Sequence, residues 1–218
     1  MMATAPAELS TAPRIGPRLE AERFLFTLFA DPPLKGEWFE LRCLDCSKDP
    51  TMPGPRLFFR SLSQLIDRAM ILRRGFDVFI GVGYRRCPDH DDIHKCRHET
   101  KGEDHISRLP AVWADLDVIS PDEPNKPYTS VVDALDALYA LDKPPALIVG
   151  SGAGLHAYWP LKHPSHDLAR VVESNRRIRD QIKGDNAIDA CRILRLPGTF
   201  NRKHGRSMPV TLIEGPVE

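Results

Sequence analysis

The chain has 218 residues, of which 42% are hydrophobic and 28% are charged, and its formal net charge at pH 7 is zero. This composition is typical of a globular protein with one core. No apolar run approaches the length of a transmembrane helix, so we expect no membrane partner.

The first part of the chain alternates between helix and strand signals. Residues 1–18 show little periodic pattern and no signal-peptide stretch, so we predict a disordered lead-in followed by one domain over residues 19–218. The elements predicted up to residue 84 are a helix over Leu19–Ala30, strands over Gly36–Leu44 and Leu57–Phe59, a helix capped by Ser61 that ends at Leu72 or Arg73, and a strand over Asp77–Tyr84.

A polar insertion rich in cysteine and histidine follows, over residues 86–108. Cys87, His90, Cys96 and His98 supply four ligands that can hold a tetrahedral structural Zn²⁺ in a segment too polar to fold alone. The alternative is a flexible polar loop with incidental histidines. An odd count of five cysteines without a secretory signal indicates a reduced, cytoplasmic setting rather than a disulfide framework.

Asp115 and Asp117 end an apolar run that starts at Ala111 and has the character of a strand. Residues two apart in a strand point to the same face, so both carboxylates leave the strand side by side. They repel each other unless a cation lies between them, and Mg²⁺ or Mn²⁺ is the natural partner of such oxygen ligands. Taken alone, Asp-x-Asp is also a common surface strand end.

The second half of the chain continues the alternation. Its predicted elements are a loop over Pro121–Pro127, a helix from Thr129 or Ser130 to about Leu141, a β-hairpin over Leu147–Trp159, a helix over Ser165–Lys183 and a strand over Met208–Ile213. This order predicts an α+β domain with a mostly antiparallel sheet and helices packed on one side.

The predicted hairpin turns through a glycine-rich segment. Ser151, Gly152 and Gly154 precede His156, which starts the return strand. Glycines let the backbone approach a ligand without obstruction by a Cβ atom, and a histidine at this point can meet a phosphate with an N–H donor. The alternative is a plain hairpin with an incidental histidine.

A third cluster combines a carboxylate with basic groups around a Pro-Gly turn. Asp189 is a third candidate metal ligand. Arg192 and Arg195 flank an apolar pair, and arginine forks suit phosphate oxygens. Asn201 and Lys203 add donors beyond the turn. The alternative is a strand with solvated basic residues, which leaves this crowding unexplained.

The zero net charge is unevenly distributed. Acidic residues outnumber basic ones between Cys87 and Asp142, and basic residues outnumber acidic ones between Arg170 and Arg206. An acidic, metal-holding half opposite a basic half suits a polyanion that is bridged by cations.

In this order and at these spacings, the three motifs resemble the archaeo-eukaryotic primase superfamily, and most closely the primase-polymerases of plasmids, phages and mobile elements. That family carries an Asp-x-Asp strand, a Gly-x-His hairpin, and a later acidic residue that leads into Arg-x-x-Arg-x-Pro-Gly-Thr-x-Asn. The matching residues are Asp115 and Asp117, Gly154 and His156, and Asp189 with Arg192, Arg195 and Asn201.

The resemblance implies a fold, a reaction and partners. The fold would be an RRM-like sheet packed against an N-terminal α/β unit, with the metal site in the cleft between them. The reaction would be template-directed nucleotidyl transfer, as primer synthesis or DNA polymerisation, with two Mg²⁺ or Mn²⁺ ions on Asp115, Asp117 and Asp189. The partners would be single-stranded DNA, an NTP or dNTP, and a helicase or primer-initiation domain absent from this chain, in a prokaryotic cytoplasm.

The resemblance also assigns nucleotide ligands. The β- or γ-phosphate would lie against His156 and the turn of Ser151, Gly152 and Gly154. The triphosphate or template backbone would contact Arg192 and Arg195, with help from Asn201 and Lys203. Arg85, at the exit of the Asp77–Tyr84 strand, would be a further phosphate ligand.

Two other functions would use some of the same residues. A metal-dependent nuclease also needs three carboxylates, usually with a Lys or His that acts on water, but it does not call for the Arg192–Gly198 turn. A non-catalytic single-strand binder on an RRM-like sheet would show aromatic residues alternating on its central strands. Here the candidates are Trp113 and the Tyr158–Trp159 pair, which are few and lie in apolar surroundings.

Overall fold

The computed structural model describes residues 15–45, 53–96, 102–121 and 123–213. Its helices and strands in chain order are α1 (Pro17–Leu28), β1 (Glu37–Leu44), β2 (Pro53–Phe59), α2 (Leu62–Leu72), β3 (Asp77–Gly81), β4 (Tyr84–Arg86), β5 (Ile106–Asp117), α3 (Val131–Tyr139), β6 (Leu147–Gly150), β7 (Gly154–Ser165), α4 (Leu168–Ile182), β8 (Ile193–Arg195), β9 (Thr199–Asn201) and β10 (Met208–Ile213). None of the helices in these ranges is long and apolar enough to cross a lipid bilayer.

Most predicted elements form close to their predicted bounds. Ser61 caps α2 by accepting a hydrogen bond from the backbone N–H of Gln64. Ser130 caps α3 in the same way through Asp133. In both cases a local signal, a hydroxyl before an amphipathic run, was sufficient to predict the start of the helix.

Several predicted bounds differ from the structure, and two of them show how bounds depend on distant partners. The strand predicted over Asp77–Tyr84 breaks at Val82 and Gly83 into β3 and β4, whose outer edges pair with different strands, β8 and β5. Strand β5 begins at Ile106, inside the predicted insertion, because Ile106 pairs with Arg85.

The strands form one antiparallel sheet in the order β8-β3-β1-β4-β5-β7-β6-β10-β9, with β2 added beside β1. The two ends of this order, β8 and β9, are joined by the short segment Leu196–Gly198, so the sheet curves until its ends meet. Leu196 N and Gly198 N donate to Val78 O and Val210 O at 3.0 and 2.8 Å, which closes the gap. The predicted α+β class and mostly antiparallel sheet are confirmed.

Helices cover both faces of the central strands, whereas the sequence predicted helices on one side. Trp113 and Tyr158 lie opposite each other in the β5–β7 ladder and pack with α1 and α2. Their neighbours Ala114 and Ala157 point to the other face and pack with α3. Amphipathic periodicity shows that a helix has a buried face, but it does not identify the face of the sheet that receives it.

Within the described part of the chain, the carboxyl half of β5 pairs with a strand, β7, on one edge only. On the other edge, Asn175 Oδ1 in α4 accepts a hydrogen bond from Trp113 N at 3.0 Å. Past α4, Asp185 N donates to Asp115 O at 2.7 Å, and Ala187 O accepts from Trp113 Nε1 at 2.7 Å. The segment after α4 is therefore fixed beside the end of β5 that carries the predicted metal ligands.

Gly154 begins β7 opposite Asp117, where the two strands approach closely. A Cβ atom at Gly154 would lie 2.0 Å from Leu116 O and 3.0 Å from Asp117 Cα. These are backbone atoms of a paired strand and cannot move aside as a flexible side chain can. We predict that Gly154→Ala lowers the free energy of unfolding by about 1–3 kcal/mol.

Urea unfolding measures this change. Gly75→Ala is the matched control, because a Cβ atom at Gly75 would meet nothing within 4 Å. Unfolding midpoints that are equal for both variants and the wild type would contradict the close approach at Gly154.

Candidate active site

Three of the predicted site residues, Asp115, Asp117 and His156, lie together where strand β5 ends and strand β7 begins. Asp115 lies opposite His156 in the β5–β7 ladder, and Asp117 lies opposite Gly154. The distance from His156 Nε2 to Asp115 Oδ1 is 3.7 Å. Strand pairing thus places the imidazole beside the Asp-x-Asp carboxylates.

The carboxylate of Asp115 is destabilised as an anion. Burial raises the pKa of Asp115 most, and the charges of Asp117 and Asp185 raise it further. Arg195 and Arg192 lower this pKa in part, and it still reaches about 7. A cation among these carboxylates would favour the ionised form.

His156 is uncharged at neutral pH. Burial, followed by the charge of Arg195, lowers the pKa of His156 to about 3. The 3.7 Å contact with Asp115 is therefore not an ion pair. A neutral imidazole retains one N–H donor, so His156 can contact a phosphate by a hydrogen bond but not through its charge.

Asp185, as well as the predicted Asp189, is a candidate for the third carboxylate of the site. The Asp189 carboxylate contacts its own neighbours, with Arg192 Nη2 at 2.7 Å and Cys191 Sγ at 3.2 Å. The charge of Asp185 acts on Asp115, and a backbone hydrogen bond holds it beside β5. Sequence reasoning missed Asp185, because only the packing of the segment after α4 brings it to this strand.

Four buried polar atoms around these carboxylates have no hydrogen-bond partner among the described residues. They are Arg192 Nε, Arg195 Nε, His156 Nδ1 and the Tyr158 hydroxyl. The charges of both arginines act on Asp115, and burial, followed by the charge of Asp115, raises the pKa of Tyr158. Folded proteins rarely leave buried polar groups unsatisfied, so this convergence indicates a place for a ligand.

The glycine turn between β6 and β7 is braced from β9. Asn201 Nδ2 donates to Ser151 O at 3.0 Å, and Asn201 Oδ1 accepts from Lys203 N at 3.1 Å. Gly152 has a φ of 80°, and a Cβ atom there would lie 2.8 Å from Met208 Cβ. The side-chain amide of the buried Asn201 therefore connects the turn, through Ser151 O, to the backbone of Lys203.

Two lysines reach the edge of the site. Lys126 Nζ lies 2.5 Å from Asp117 Oδ2, and Lys203 Nζ lies 2.6 Å from Glu123 Oε1. Glu123 and Lys203 also line a cavity of about 220 Å³ beside Gly152. Lys126 and Glu123 carry no motif signal, and the sequence analysis did not select them.

Arg85 is withdrawn into the sheet, although it was predicted as a phosphate ligand. Its side chain is 1% exposed, and its Nε lies 2.5 Å from Oε2 of the buried Glu40. Its Nη2 donates to Cys191 O at 2.9 Å. This geometry supports a role in joining β1, β4 and the third motif, and it does not present Arg85 to a nucleotide.

Two of the four predicted zinc ligands, Cys87 and Cys96, are joined to each other in this structure. Cys87 and Cys96 form a disulfide, and a sulfur bonded to sulfur is not the thiolate that zinc requires. His90 Nδ1 accepts a hydrogen bond from Asp92 N at 2.8 Å, and His98 lies outside the described residues. Zinc binding by these four residues therefore stays a prediction, and it would require the Cys87–Cys96 pair to be reduced.

The acidic end has the donor chemistry of a site for a hard divalent cation, but its side chains are not gathered around one. Within the described ranges, no three His, Cys, Asp or Glu side chains are grouped to hold a metal ion. Asp115 and Asp117 offer oxygen ligands of the kind that Mg²⁺ and Mn²⁺ prefer. The Lys126 ammonium group lies against Asp117 in this structure, so the chemistry of these oxygens suits a divalent cation but their present grouping does not.

Comparison with known proteins supports the fold. No protein-family model and no curated protein matches the chain. The AEP domain of the primase-polymerase (PrimPol) of cyanophage S-2L matches with a TM-score of 0.62 at 16% identity, over 90% of this chain and 89% of that one. The catalytic domain of primase RepB', solved in complex with initiator DNA, matches with a TM-score of 0.58 at 19% identity, over 91% and 85%.

A second structure of primase RepB' matches with a TM-score of 0.57 at 18% identity, over 91% of this chain and 56% of that one. The chain therefore has the fold of archaeo-eukaryotic primase catalytic domains. The resemblance found in the sequence motifs is confirmed at the level of the fold.

Asp115 should make stability depend on pH when no divalent cation is present. The pKa of Asp115 in the folded protein, about 7, lies above its ordinary value of 3.8. The contribution of this group to stability is therefore full below about pH 4 and is lost as the pH rises through 7. We predict that Asp115→Asn is more stable than the wild type at pH 8 in EDTA, and that the difference vanishes towards pH 4.

Urea unfolding across this pH range tests the prediction. Asp142→Asn serves as the control, because Asp142 is exposed and is not among the groups whose charges act on Asp115. An Asp115→Asn variant that is less stable than the wild type at pH 8 would contradict the crowding of carboxylates.

Proposed function

We propose that the chain catalyses template-directed nucleotidyl transfer, in which the 3′-hydroxyl of a primer strand paired with a DNA template attacks the α-phosphate of an incoming ribo- or deoxynucleoside triphosphate and pyrophosphate leaves. The observation that supports this most lies at the carboxyl end of β5. There, crowded carboxylates lie near buried donors that have no hydrogen-bond partner among the described residues. A polyphosphate that arrives with cations would satisfy both groups. The fold, shared with a primase-polymerase and a primase, agrees with this proposal.

Asp115, Asp117 and a third carboxylate would hold two Mg²⁺ or Mn²⁺ ions, which when bound would lower the pKa of the 3′-hydroxyl and offset charge on the leaving pyrophosphate. The motif nominates Asp189 as the third carboxylate. We assign this place to Asp185, because its charge acts on Asp115 whereas Asp189 is engaged by Arg192.

The basic side would orient the triphosphate. Arg192 and Arg195 each have a buried Nε without a partner in the described part of the chain, and guanidinium groups suit phosphate oxygens. His156 would add one N–H from its neutral ring. Lys203 would reach the outermost phosphate from the adjoining cavity. Such a site acts by positioning and by neutralising charge, which are the main requirements of phosphoryl transfer.

Asn201 and the glycine turn would act together. Asn201 donates a hydrogen bond to Ser151 O. This bond would keep the backbone N–H groups at Gly152–Gly154 in a fixed position near His156. We therefore propose that Asn201 positions the turn, and that Ser151, Gly152 and Gly154 provide the surface against which a phosphate lies.

Asp117→Asn should abolish strand extension. Loss of one metal-ligand charge should lower the rate by roughly a thousandfold, while circular dichroism shows an intact fold. The assay combines labelled nucleotides, primed single-stranded DNA and Mn²⁺ or Mg²⁺. Asp142→Asn, which removes an exposed carboxylate elsewhere, should retain the wild-type rate.

The same assay separates this proposal from its alternatives. A shortened template without extension would indicate a nuclease, and a gel shift without either change would indicate a binding module. Either result with the wild type would reject nucleotidyl transfer. Extension that persists in Asp117→Asn would reject the assignment of the site.

A second pair of variants identifies the third carboxylate. Asp185→Asn should lower the extension rate by roughly a hundredfold or more and raise the Mn²⁺ concentration needed for half-maximal rate. Asp189→Asn breaks a partly exposed ion pair with Arg192, so we expect less than about a tenfold change. The change should appear in the KM for nucleotide. The opposite ranking would return the role to Asp189.

A further inference from the structure

One short segment, residues 123–130, contacts both sides of the proposed site with opposite charges. Its Lys126 Nζ lies 2.5 Å from Asp117 Oδ2 on the acidic side. Its Glu123 Oε1 lies 2.6 Å from Lys203 Nζ on the basic side. The sequence motifs had already nominated Asp117 as a cation ligand and Lys203 as a phosphate ligand. Lys126 is positive, like the cation expected on Asp117, and Glu123 is negative, like the phosphate expected on Lys203.

The backbone holds this segment in place. Ile119 N donates to Tyr128 O at 2.8 Å, and Ser120 and Glu123 exchange backbone hydrogen bonds at 3.0 and 3.1 Å. The Tyr128 hydroxyl donates to Ile182 O at the end of α4. The two charges therefore lie at positions that the fold sets on either side of the site.

Both ion pairs can open without movement of the backbone. The side chains of Lys126 and Asp117 are 25% and 22% exposed, and those of Lys203 and Glu123 are 33% and 30% exposed. Lysine and glutamate have long side chains that can swing into the adjoining solvent. Partly exposed ion pairs are weak, so a divalent cation on several carboxylates, or a polyphosphate on several basic groups, can displace them.

We propose that Lys126 and Glu123 are internal surrogate ligands of this site. In the nucleotide-free protein, Lys126 takes the place of a divalent cation on Asp117, and Glu123 takes the place of a phosphate group on Lys203. The cavity of about 220 Å³ beside Gly152 then becomes the polyphosphate end of the site when Glu123 withdraws. This inference rests on the proposed function, whose site it extends by two residues.

Each ligand displaces its own internal counterion in this arrangement. A divalent cation alone displaces Lys126 and leaves the Glu123–Lys203 pair closed. A polyphosphate alone displaces Glu123 and leaves the Lys126–Asp117 pair closed. The cation complex of a nucleoside triphosphate displaces both, so it competes with one internal counterion on each side of the site.

Zero-length cross-linking tests this arrangement directly. A carbodiimide joins an amine to a carboxylate that it touches, and peptide mass spectrometry identifies the joined pair. In EDTA we expect Lys126–Asp117 and Lys203–Glu123 links in the wild type. Saturating Mn²⁺ should remove the first link only, and inorganic tripolyphosphate should remove the second only. Persistence of the Lys126–Asp117 link at saturating Mn²⁺ would overturn the proposal.

Binding measurements with variants give an independent test. Lys126→Gln should tighten Mn²⁺ binding by about fivefold, the scale of one partly exposed ion pair. Glu123→Gln should tighten tripolyphosphate binding by about the same factor and leave Mn²⁺ binding unchanged. Lys143→Gln, at an exposed lysine elsewhere, controls for the loss of a positive charge. Weaker Mn²⁺ binding by Lys126→Gln would also overturn the proposal.

These outcomes separate the surrogate ligands from the proposed reaction, because neither test uses catalysis. The expected cross-link pattern in a protein that does not extend primers would support the surrogates and reject nucleotidyl transfer. Extension with unchanged cross-links at saturating Mn²⁺ would reject the surrogates alone. A wild type that binds no Mn²⁺ would reject both.

Discussion

The partly buried carboxylate of Asp115 is the feature on which the site depends. Strand β5 points Asp115 and Asp117 to the same face, and the backbone bond from Asp185 brings a third carboxylate to that strand. Such crowding opposes folding, because each charge disfavours ionisation of the next. An arrangement that costs stability and still leaves polar atoms unsatisfied is expected where a ligand completes the structure.

Closure of the sheet supplies the opposing charges. The link between β8 and β9 carries the third motif from one end of the sheet to the other, which brings Arg195 towards the face that carries Asp115. The buried Asp77 then fixes both sides of this link, since its carboxylate accepts from Arg202 N at 3.0 Å and lies 3.5 Å from Arg195 Nη2. Gly198 permits the turn, because its φ is 78° and a Cβ atom there would collide with Pro17 O. The relative positions of the charged groups therefore follow from the fold more than from local sequence.

This dependence explains which parts could be predicted from sequence. Helix caps, the hairpin and the Asp-x-Asp strand are local patterns, and they appear near their predicted positions. Asp185 and Lys126 lack a local signal, because they acquire significance only where β5 meets the segment after α4 and the loop before α3. Arg85 had the right residue type for a phosphate ligand, but a carboxylate from β1 holds it inside. The pairing of Cys87 with Cys96 likewise depends on chain geometry that spacing alone does not define.

The zero net charge has a structural interpretation in this arrangement. Glu123 of the acidic segment neutralises Lys203 of the basic segment, and Lys126 neutralises Asp117 within the acidic segment. A protein that binds a polyanion through a uniformly basic surface gains affinity by releasing counterions to solvent. Here part of the counterion role belongs to the protein's own side chains, so polyphosphate and cations would exchange with internal charges. A balanced total charge is therefore compatible with a site for a highly charged substrate, provided that the fold keeps the opposite charges on separate sides.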